Sequence, residues 1–417
     1  MSDLVRLDMD DASGHGAARR GVSDPPVDDR FVPSTSPGSM GFWADGYTVP
    51  AGEGVGMSAA STRPSLLRRD LPWIVALALV AALTIAVWPS SVLLGHHDDP
   101  VVAMAVGELE GRPVAVSAGS GYDDTALRVW DLTTGDPVGE PIVAHPVGVL
   151  TLALGEVDGR PVAVIGGYDD AVRVLDLTTR ELVGEPMRLS KSDRVDAVAV
   201  GEVNGRAVVV VAGDWGDAAT RKLPVRVWDL ATHEPVGEPL VGHTGLVLSV
   251  ALGEVNGRAV AVTGSVDGTT RIWDLVTRKQ MGDPIVSATG VGNVALGKVD
   301  GRQVVVSTDD ENISVWDLAT HRLIGAPIPT GLTYGVRTVV IEEVDGRSVI
   351  LAGGGDGDDG GAVQVWDLGT HEPLGRRMRY ANWVGNVAIG HVAGRVVAVT
   401  GDGDGDVRMR DLSGHTQ

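Results

Sequence analysis

The chain of 417 residues has no cysteine. That excludes disulfides, thiolate nucleophiles and cysteine-ligated zinc or iron–sulfur centres. Aromatic residues are scarce, with two Phe and 4% Phe, Trp and Tyr together. Positive charge is also short: 34 Lys and Arg against 55 Asp and Glu leave a net charge of −21, which repels a phosphate backbone and argues against general nucleic-acid binding, leaving room only for a local basic patch. The sequence contains no HExxH pair, no Gly-rich phosphate loop ending in Lys-Ser/Thr, and no GxSxG between a strand and a helix. No catalytic constellation, cofactor site or metal centre is therefore expected. What is abundant is Gly, at 57 residues, with 43% hydrophobic residues drawn mainly from Val, Ala and Leu. This composition favours many short strands joined by Gly-containing turns over a helical bundle.

Three regions follow one another. Residues Met1 to Asp70 are rich in Gly, Pro, Ser and Asp, carry seven Arg against ten acids, and show no sustained period, the pattern of a disordered tail. From Leu71 to Trp88 the segment LPWIVALALVAALTIAVW carries no charge. As a helix at ~1.5 Å per residue it spans ~27 Å, close to the ~30 Å hydrocarbon core of a bilayer. Arg63, Arg68 and Arg69 precede it, while no Lys or Arg follows until Arg112. The positive-inside rule then predicts a single-pass cell-membrane anchor with the N-terminus cytoplasmic and the remainder extracytoplasmic. Two alternatives are a buried core helix and a cleaved signal peptide beginning near Met57, with Thr84-x-Ala86 as its cleavage site.

Residues 89–417 repeat. The unit is clearest in GHTGLVLSVALGEVNGRAVAVTGSVDGTTRIWDL, Gly242 to Leu275. Its Trp-Asp or equivalent positions recur at Trp130, Leu175, Trp228, Trp273, Trp316, Trp366 and Arg410, spaced 45, 53, 45, 43, 50 and 44 residues. Each copy carries three runs of period-two alternation and a fourth strand after the Trp-Asp, as in Pro137 to Val143. Asp158-Gly159, Asn204-Gly205, Asn256-Gly257, Asp300-Gly301 and Asp345-Gly346 separate the first two runs as type I′ hairpin turns, because both residues tolerate positive φ.

Four strands per unit, a Gly-His before the first and a Trp-Asp closing the third resemble the WD-repeat β-propellers, in a bacterial-type, membrane-anchored form. The resemblance covers about four fifths of the chain. It implies that each blade is locked by hydrogen-bonded His, Ser/Thr, Asp and Trp. Blade one supplies His97, Ser117, Asp124 and Trp130; blade four supplies His243, Thr263, Asp267 and Trp273. The other blades depart from this pattern. Blade two has His145 and Asp169 with Ile165 and Leu175; blade five has Ser307, Asp310 and Trp316 with Ser287 for His. Blade seven has Thr400 and Asp404 with Arg410 for Trp, and Lys191 and Leu332 stand at the His positions of blades three and six. The expected fold is thus all-β: a seven-bladed propeller of four-stranded blades, preceded by a disordered tail and one transmembrane helix.

The last copy ends too soon for its own fourth strand. Aligning Pro89 with Pro235 places His97 on His243, so Ser90 to Leu94 is expected to pair with Val407 to Asp411 and close the ring. The N-terminal segment then enters at the bottom face, which bears the first-to-second-strand turns. There Arg112, Arg160, Arg206, Arg258, Arg302, Arg347 and Arg395 could meet anionic headgroups or pair with acids such as Glu156, Glu202 and Glu254. The top face carries long second-to-third-strand loops in blades one, three and six. Trp215 with Arg221 and Lys222 has the composition of an interface hot spot. Asp402-Gly-Asp404-Gly-Asp406 and Asp356-Gly-Asp358-Asp359 are calcium-like only in part, since the former lacks the loop glycine and bidentate Glu. The expected function is a non-enzymatic, membrane-tethered scaffold, a monomeric propeller binding an unknown protein partner through its top-face loops. The alternative is an extracytoplasmic enzyme or small-ligand sensor using the channel.

Overall fold

Short apolar runs interrupted by Gly-containing turns bury enough surface only when stacked against one another, and that stacking is what the chain adopts. A computed structural model describes residues 91–121, 124–189, 194–213, 224–357 and 360–413. Among these, every regular element is a strand, and the strands form seven antiparallel sheets in sequence order, the blades of a β-propeller. The expected tail and hydrophobic helix, residues 1–70 and 71–88, lie outside the described residues. No helix among the described residues is long and apolar enough to cross a membrane.

Each blade begins with an inner strand and turns back through a two-residue hairpin. The register is the same in all seven: Leu109 pairs Arg112, Val157 pairs Arg160, and so on to Val392 with Arg395. Both turn residues have positive φ, from 49° to 53° at the first and 74° to 78° at the second. Five of the seven turns carry Asp or Asn first, as the sequence indicated. Glu110 and Ala393 hold the same left-handed conformation without a side chain suited to it. The second strands, such as Arg160–Gly167 and Arg206–Gly213, are buried over their last six residues. They therefore read as unbroken apolar runs, sandwiched between neighbouring blades.

Neighbouring blades touch closely along the inner strands. A Cβ on Gly253 would come within 2.7 Å of Leu296 in the next blade. Side chains also bridge the blades: Thr151, Ser249 and Thr338 accept hydrogen bonds from the backbone N–H groups of Val198, Val294 and Val387 at 3.1, 3.1 and 3.3 Å.

The blades are four-stranded as expected, but their fourth strands are not all continuous. In blades one to five the outer strand is split or reduced to bridges rather than continuous. Blade one pairs Trp130 with Pro137 as an isolated bridge and then Ile142–Val143 as a separate strand. Blade three retains only the bridges Trp228 to Pro235 and Val225 to Leu240. The cause lies in a recurring Gly-x-Pro: the glycine, as at Gly139 and Gly237, takes φ of 67° and 66°, and the proline has no N–H for the ladder. Blade six has Gly375-Arg376-Arg377 instead, and its outer strand Pro373–Tyr380 runs through.

The ring closes through the N-terminal strand Val92–His96, which pairs antiparallel with Asp406–Asp411. The pairing is Val92 to Met409, Leu93 to Arg408, Gly95 to Val407 and His96 to Asp406, with an irregularity at Leu94. Val92 and Leu93 keep the register expected for Ser90 to Leu94, Ser90 lies outside the described residues, and the strand runs on to His96. Leu94, Val407 and Met409 share one apolar cluster with Met104, Trp130 and Leu132 of blade one, so the last blade packs on the first.

Candidate protein-interaction surface

Hydrogen-bonded quartets tie the top face together in blades one and four. In blade one, His97 Nε2 lies 2.8 Å from Ser117 Oγ and Nδ1 lies 2.9 Å from Asp124, while Trp130 Nε1–H donates to Ser117 Oγ at 2.8 Å. Blade four repeats this with His243, Thr263, Asp267 and Trp273 at 2.7, 3.0 and 2.9 Å. The blade-one arrangement has the order of a Ser-His-Asp triad, but Ser117 and His97 are both 0% exposed. Ser117 also accepts the indole N–H, and no substrate reaches its oxygen. Geometry thus assigns these residues to holding the strands. Burial, reinforced by the Arg128 guanidinium, pushes the His97 imidazole down to about 4. Burial alone would raise Asp267, but hydrogen bonds from His243, Thr269 and the Thr244 backbone outweigh it and hold the carboxyl well below the usual range.

The remaining blades solve the same problem differently. Blade two replaces the hydroxyl and indole by Ile165 and Leu175, both buried, and keeps His145 3.1 Å from Asp169, which Arg173 also binds. Blade five retains Trp316 donating to Ser307 at 2.9 Å, whereas its Asp310 is exposed. Blade seven puts Tyr380 where blade four has His243: its hydroxyl accepts from Thr400 at 3.1 Å, and Arg410 stacks 4.9 Å from the ring centre. Arg410 in the Trp position is therefore matched by an aromatic ring on the outer strand. In blade three Val211 stands opposite Arg226, as Thr263 stands opposite Arg271, so the buried Trp228 Nε1 has no partner among the described residues.

On the bottom face the Trp-Asp aspartates do the corresponding work. Asp131 and Asp274 each accept two backbone N–H bonds across the third-to-fourth-strand turn. Arg112, Arg160, Arg258 and Arg395 reach the aspartates of their own blades, Asp131, Asp176, Asp274 and Asp411, at 3.8, 3.7, 3.4 and 2.6 Å. Local pairing thus prevails at these four, with the strand-three aspartate as partner rather than Glu156 or Glu254.

Trp215, Arg221 and Lys222 lie outside the described residues. The aromatic surface that the structure does show on top joins blades six and seven. Arg337 occupies the irregularity near the start of the blade-six inner strand, Val336–Val344, and its guanidinium stacks 4.5 Å over the Trp383 ring. Tyr334, 63% exposed, flanks them, and together with Asn382, Gly357 and Gly360 they line a cleft of about 250 Å3. Asp356 beside it binds Arg377 and Arg379 at 3.3 and 2.8 Å. Two aromatics lining one cleft, one of them carrying a stacked arginine, have the composition of an interface anchor. Sequence reasoning looked to the second-to-third-strand loops, whereas Tyr334, Asn382 and Trp383 lie on the linkers between blades. A signal was present: apart from Trp215, Trp383 is the only tryptophan after residue 89 outside the Trp-Asp register.

The acidic repeat in blade seven is engaged locally. Asp402 accepts the N–H groups of Asp404 and Asp406 at 3.1 Å each, and Asp404 accepts from the Asn382 amide at 3.0 Å. No group of three or more His, Asp or Glu is arranged to hold a metal ion among the described residues. No protein-family model matches the chain, and no curated protein matches it either. The seven-bladed β-propeller is accordingly established by its own strand pairing.

Proposed function

We propose that this chain is a non-enzymatic protein-interaction scaffold of the WD-repeat type, held at a membrane by residues 71–88 and presenting its top face to a protein partner. The propeller fold is consistent with such a platform. The observation that carries the reading is the Tyr334–Arg337–Trp383 cluster, an aromatic and cationic surface on a chain otherwise poor in both. The WD-repeat reading is supported by the two complete His–Ser/Thr–Asp–Trp quartets. The tether is supported by the entry of the chain: Val92 pairs Met409 at the bottom end of blade seven, three residues after Pro89. An anchor ending at Trp88 would hold the bottom face against the bilayer and leave the top face free.

The test places a photocrosslinking amino acid at Tyr334 in the full chain, with a second version bearing it at Leu323 on the outer rim. A specific adduct at Tyr334 and not at Leu323 is expected. With the crosslinked protein in hand, Trp383→Ala is expected to weaken its affinity by about thirtyfold, near 2 kcal/mol, without unfolding the chain. Unchanged affinity would remove the cluster from the interface. Turnover of a small molecule by the purified chain would move the function to the channel.

A further inference from the structure

The groove between blades three and four on the bottom face contains two arginines, Arg206 and Arg278, that close no ion pair among the described residues. In four sister blades the residue ending the third-to-fourth-strand turn reaches back to the preceding blade. Arg180, His233, His321 and His371 donate to the carbonyls of Glu140, Glu185, Asp283 and Ala326 at 2.6, 2.8, 2.8 and 3.2 Å. Arg278 has the same position and the same left-handed backbone, φ 61°. It makes no such bond, and its Nη1 is buried without a hydrogen-bond partner. Across the groove stands Arg206. Of its six counterparts, Arg112, Arg160, Arg258 and Arg395 pair with their blade's aspartate within 4 Å, whereas Arg206, like Arg302 and Arg347, has no such ion pair among the described residues. The carboxylate it faces, Asp229, accepts the N–H groups of Ala231 and Thr232 at 3.0 and 2.9 Å. Burial alone would raise this carboxyl, but those bonds and the charge of Arg206 hold it below its usual range, without Arg206 closing to an ion pair.

Both arginines line one cavity of about 430 Å3, a size typical of small-molecule sites. The Asn204 turn lies at its edge, and Val203, Val208, Val236, Leu275 and Val276 form its apolar walls. The corresponding groove between blades four and five has His321 in place of Arg278, already tied to a carbonyl. A guanidinium nitrogen of Arg278 buried without a partner, with the exposed Arg206 across the cavity and an apolar wall beside both, matches one kind of ligand. We propose that this cavity binds an amphiphilic oxyanion, its phosphate or carboxylate head held by Arg206 and Arg278 and a short apolar body lying on the valines. Bidentate geometry suits guanidinium to such a head, and the apolar body distinguishes the ligand from a free inorganic ion. Two sources share this chemistry: a bilayer lipid extending its headgroup into the bottom face, and a free short-chain amphiphile.

The test is calorimetric titration of octyl phosphate into the full chain held in phosphatidylcholine nanodiscs, with empty nanodiscs subtracted. Saturable binding of one molecule per chain is expected, weakened about tenfold or more by Arg206→Gln and by Arg278→Gly, because a charge-assisted bond is lost from each. Glycine is the residue blade one carries at that position, Gly135, and it adopts the required positive φ, 82°. Arg180→Gly in the blade-two turn is expected to leave binding unchanged. Inorganic phosphate and octyl glucoside, each lacking half of the ligand, are expected to bind at least about tenfold more weakly. Loss of octyl phosphate binding in nanodiscs containing phosphatidic acid would identify the bilayer as the source, and retention would identify a free amphiphile. Equal affinity of the unaltered chain and both groove variants, or equal binding of octyl glucoside, would overturn the proposal.

Discussion

Thr263→Val tests whether the blade-four quartet holds the propeller together. The substitution keeps shape and removes one hydroxyl, which accepts the Trp273 N–H at 2.9 Å and meets His243 Nε2 at 2.7 Å. Thr263, His243 and Trp273 are 0%, 1% and 2% exposed, so water cannot replace the lost oxygen. Leaving a buried group unpaired costs ~1–3 kcal/mol, and here two groups lose a partner while His243 keeps Asp267. The expected loss is about 3 kcal/mol. At roughly 2 °C per kcal/mol for a domain of this size, melting should fall by about 6 °C. Thermal unfolding followed by far-ultraviolet circular dichroism measures it, with Thr263→Ser as the control that keeps the hydroxyl. Blade three supplies the converse. Val211→Thr gives the unpaired Trp228 Nε1 an acceptor and should raise stability by about 1 kcal/mol. A Thr263→Val protein within about 0.5 kcal/mol of the unaltered chain would refute the reasoning, since that is the range of an inconsequential surface change.

Three further outcomes are expected. His97 is held at about 4, below its ordinary 6.5, so its contribution to stability is complete above pH 6.5 and is lost as pH falls toward 4; at 1.36 kcal/mol per unit it amounts to about 3 kcal/mol. Urea midpoints measured across this window should fall for the unaltered chain and less steeply for His97→Gln; equal slopes would contradict the assignment. Ala393→Asn places in the blade-seven hairpin, φ 50°, a residue that sister turns use, and should raise the melting temperature by about 1–2 °C, corresponding to roughly 0.5–1 kcal/mol; a lower melting temperature would count against the left-handed turn. Protease added to intact cells should digest the propeller if residues 71–88 anchor it outside, whereas protection until lysis would reverse the proposed orientation.

The repeat was legible because it is written in strand chemistry. The Trp-Asp spacing gave the blade count, and Asp or Asn before Gly located five hairpins whose positive φ the structure shows. The last blade's outer strand was legible from aligning Pro89 with Pro235, which predicts the observed pairing of Val92 with Met409 and Leu93 with Arg408; only the irregularity at Leu94, which carries the strand on to His96, escaped. What escaped depends on neighbours distant in sequence. Tyr380 stands where a histidine was sought, and its value lies in Thr400 and Arg410, which only the closed blade brings to it. Four bottom arginines reach the strand-three aspartates because the hairpin register delivers them there, as Arg395 beside Asp411, while Arg112 also pairs with Glu110 at 3.2 Å. The cluster of Tyr334, Arg337 and Trp383 joins two linkers and a strand irregularity, and no single segment announces it. Arg278 in the blade three–four groove looks like the other members of its repeat position until their carbonyl partners are compared.

Closure by the N-terminal strand underlies both the orientation of the faces and the proposed tether, and the absence of cysteine makes it directly measurable. Leu93 and Arg408 are opposed across the Val92–His96 and Asp406–Asp411 strands. Antiparallel partners have Cα atoms ~4.5–5.5 Å apart, within the span of a disulfide. The full chain carrying Leu93→Cys and Arg408→Cys should, on mild oxidation, form one intramolecular disulfide, detected by mass spectrometry of the digest, and should melt at a higher temperature than its reduced form. Two free thiols, or disulfides found only between chains, would show that the first strand does not close the ring.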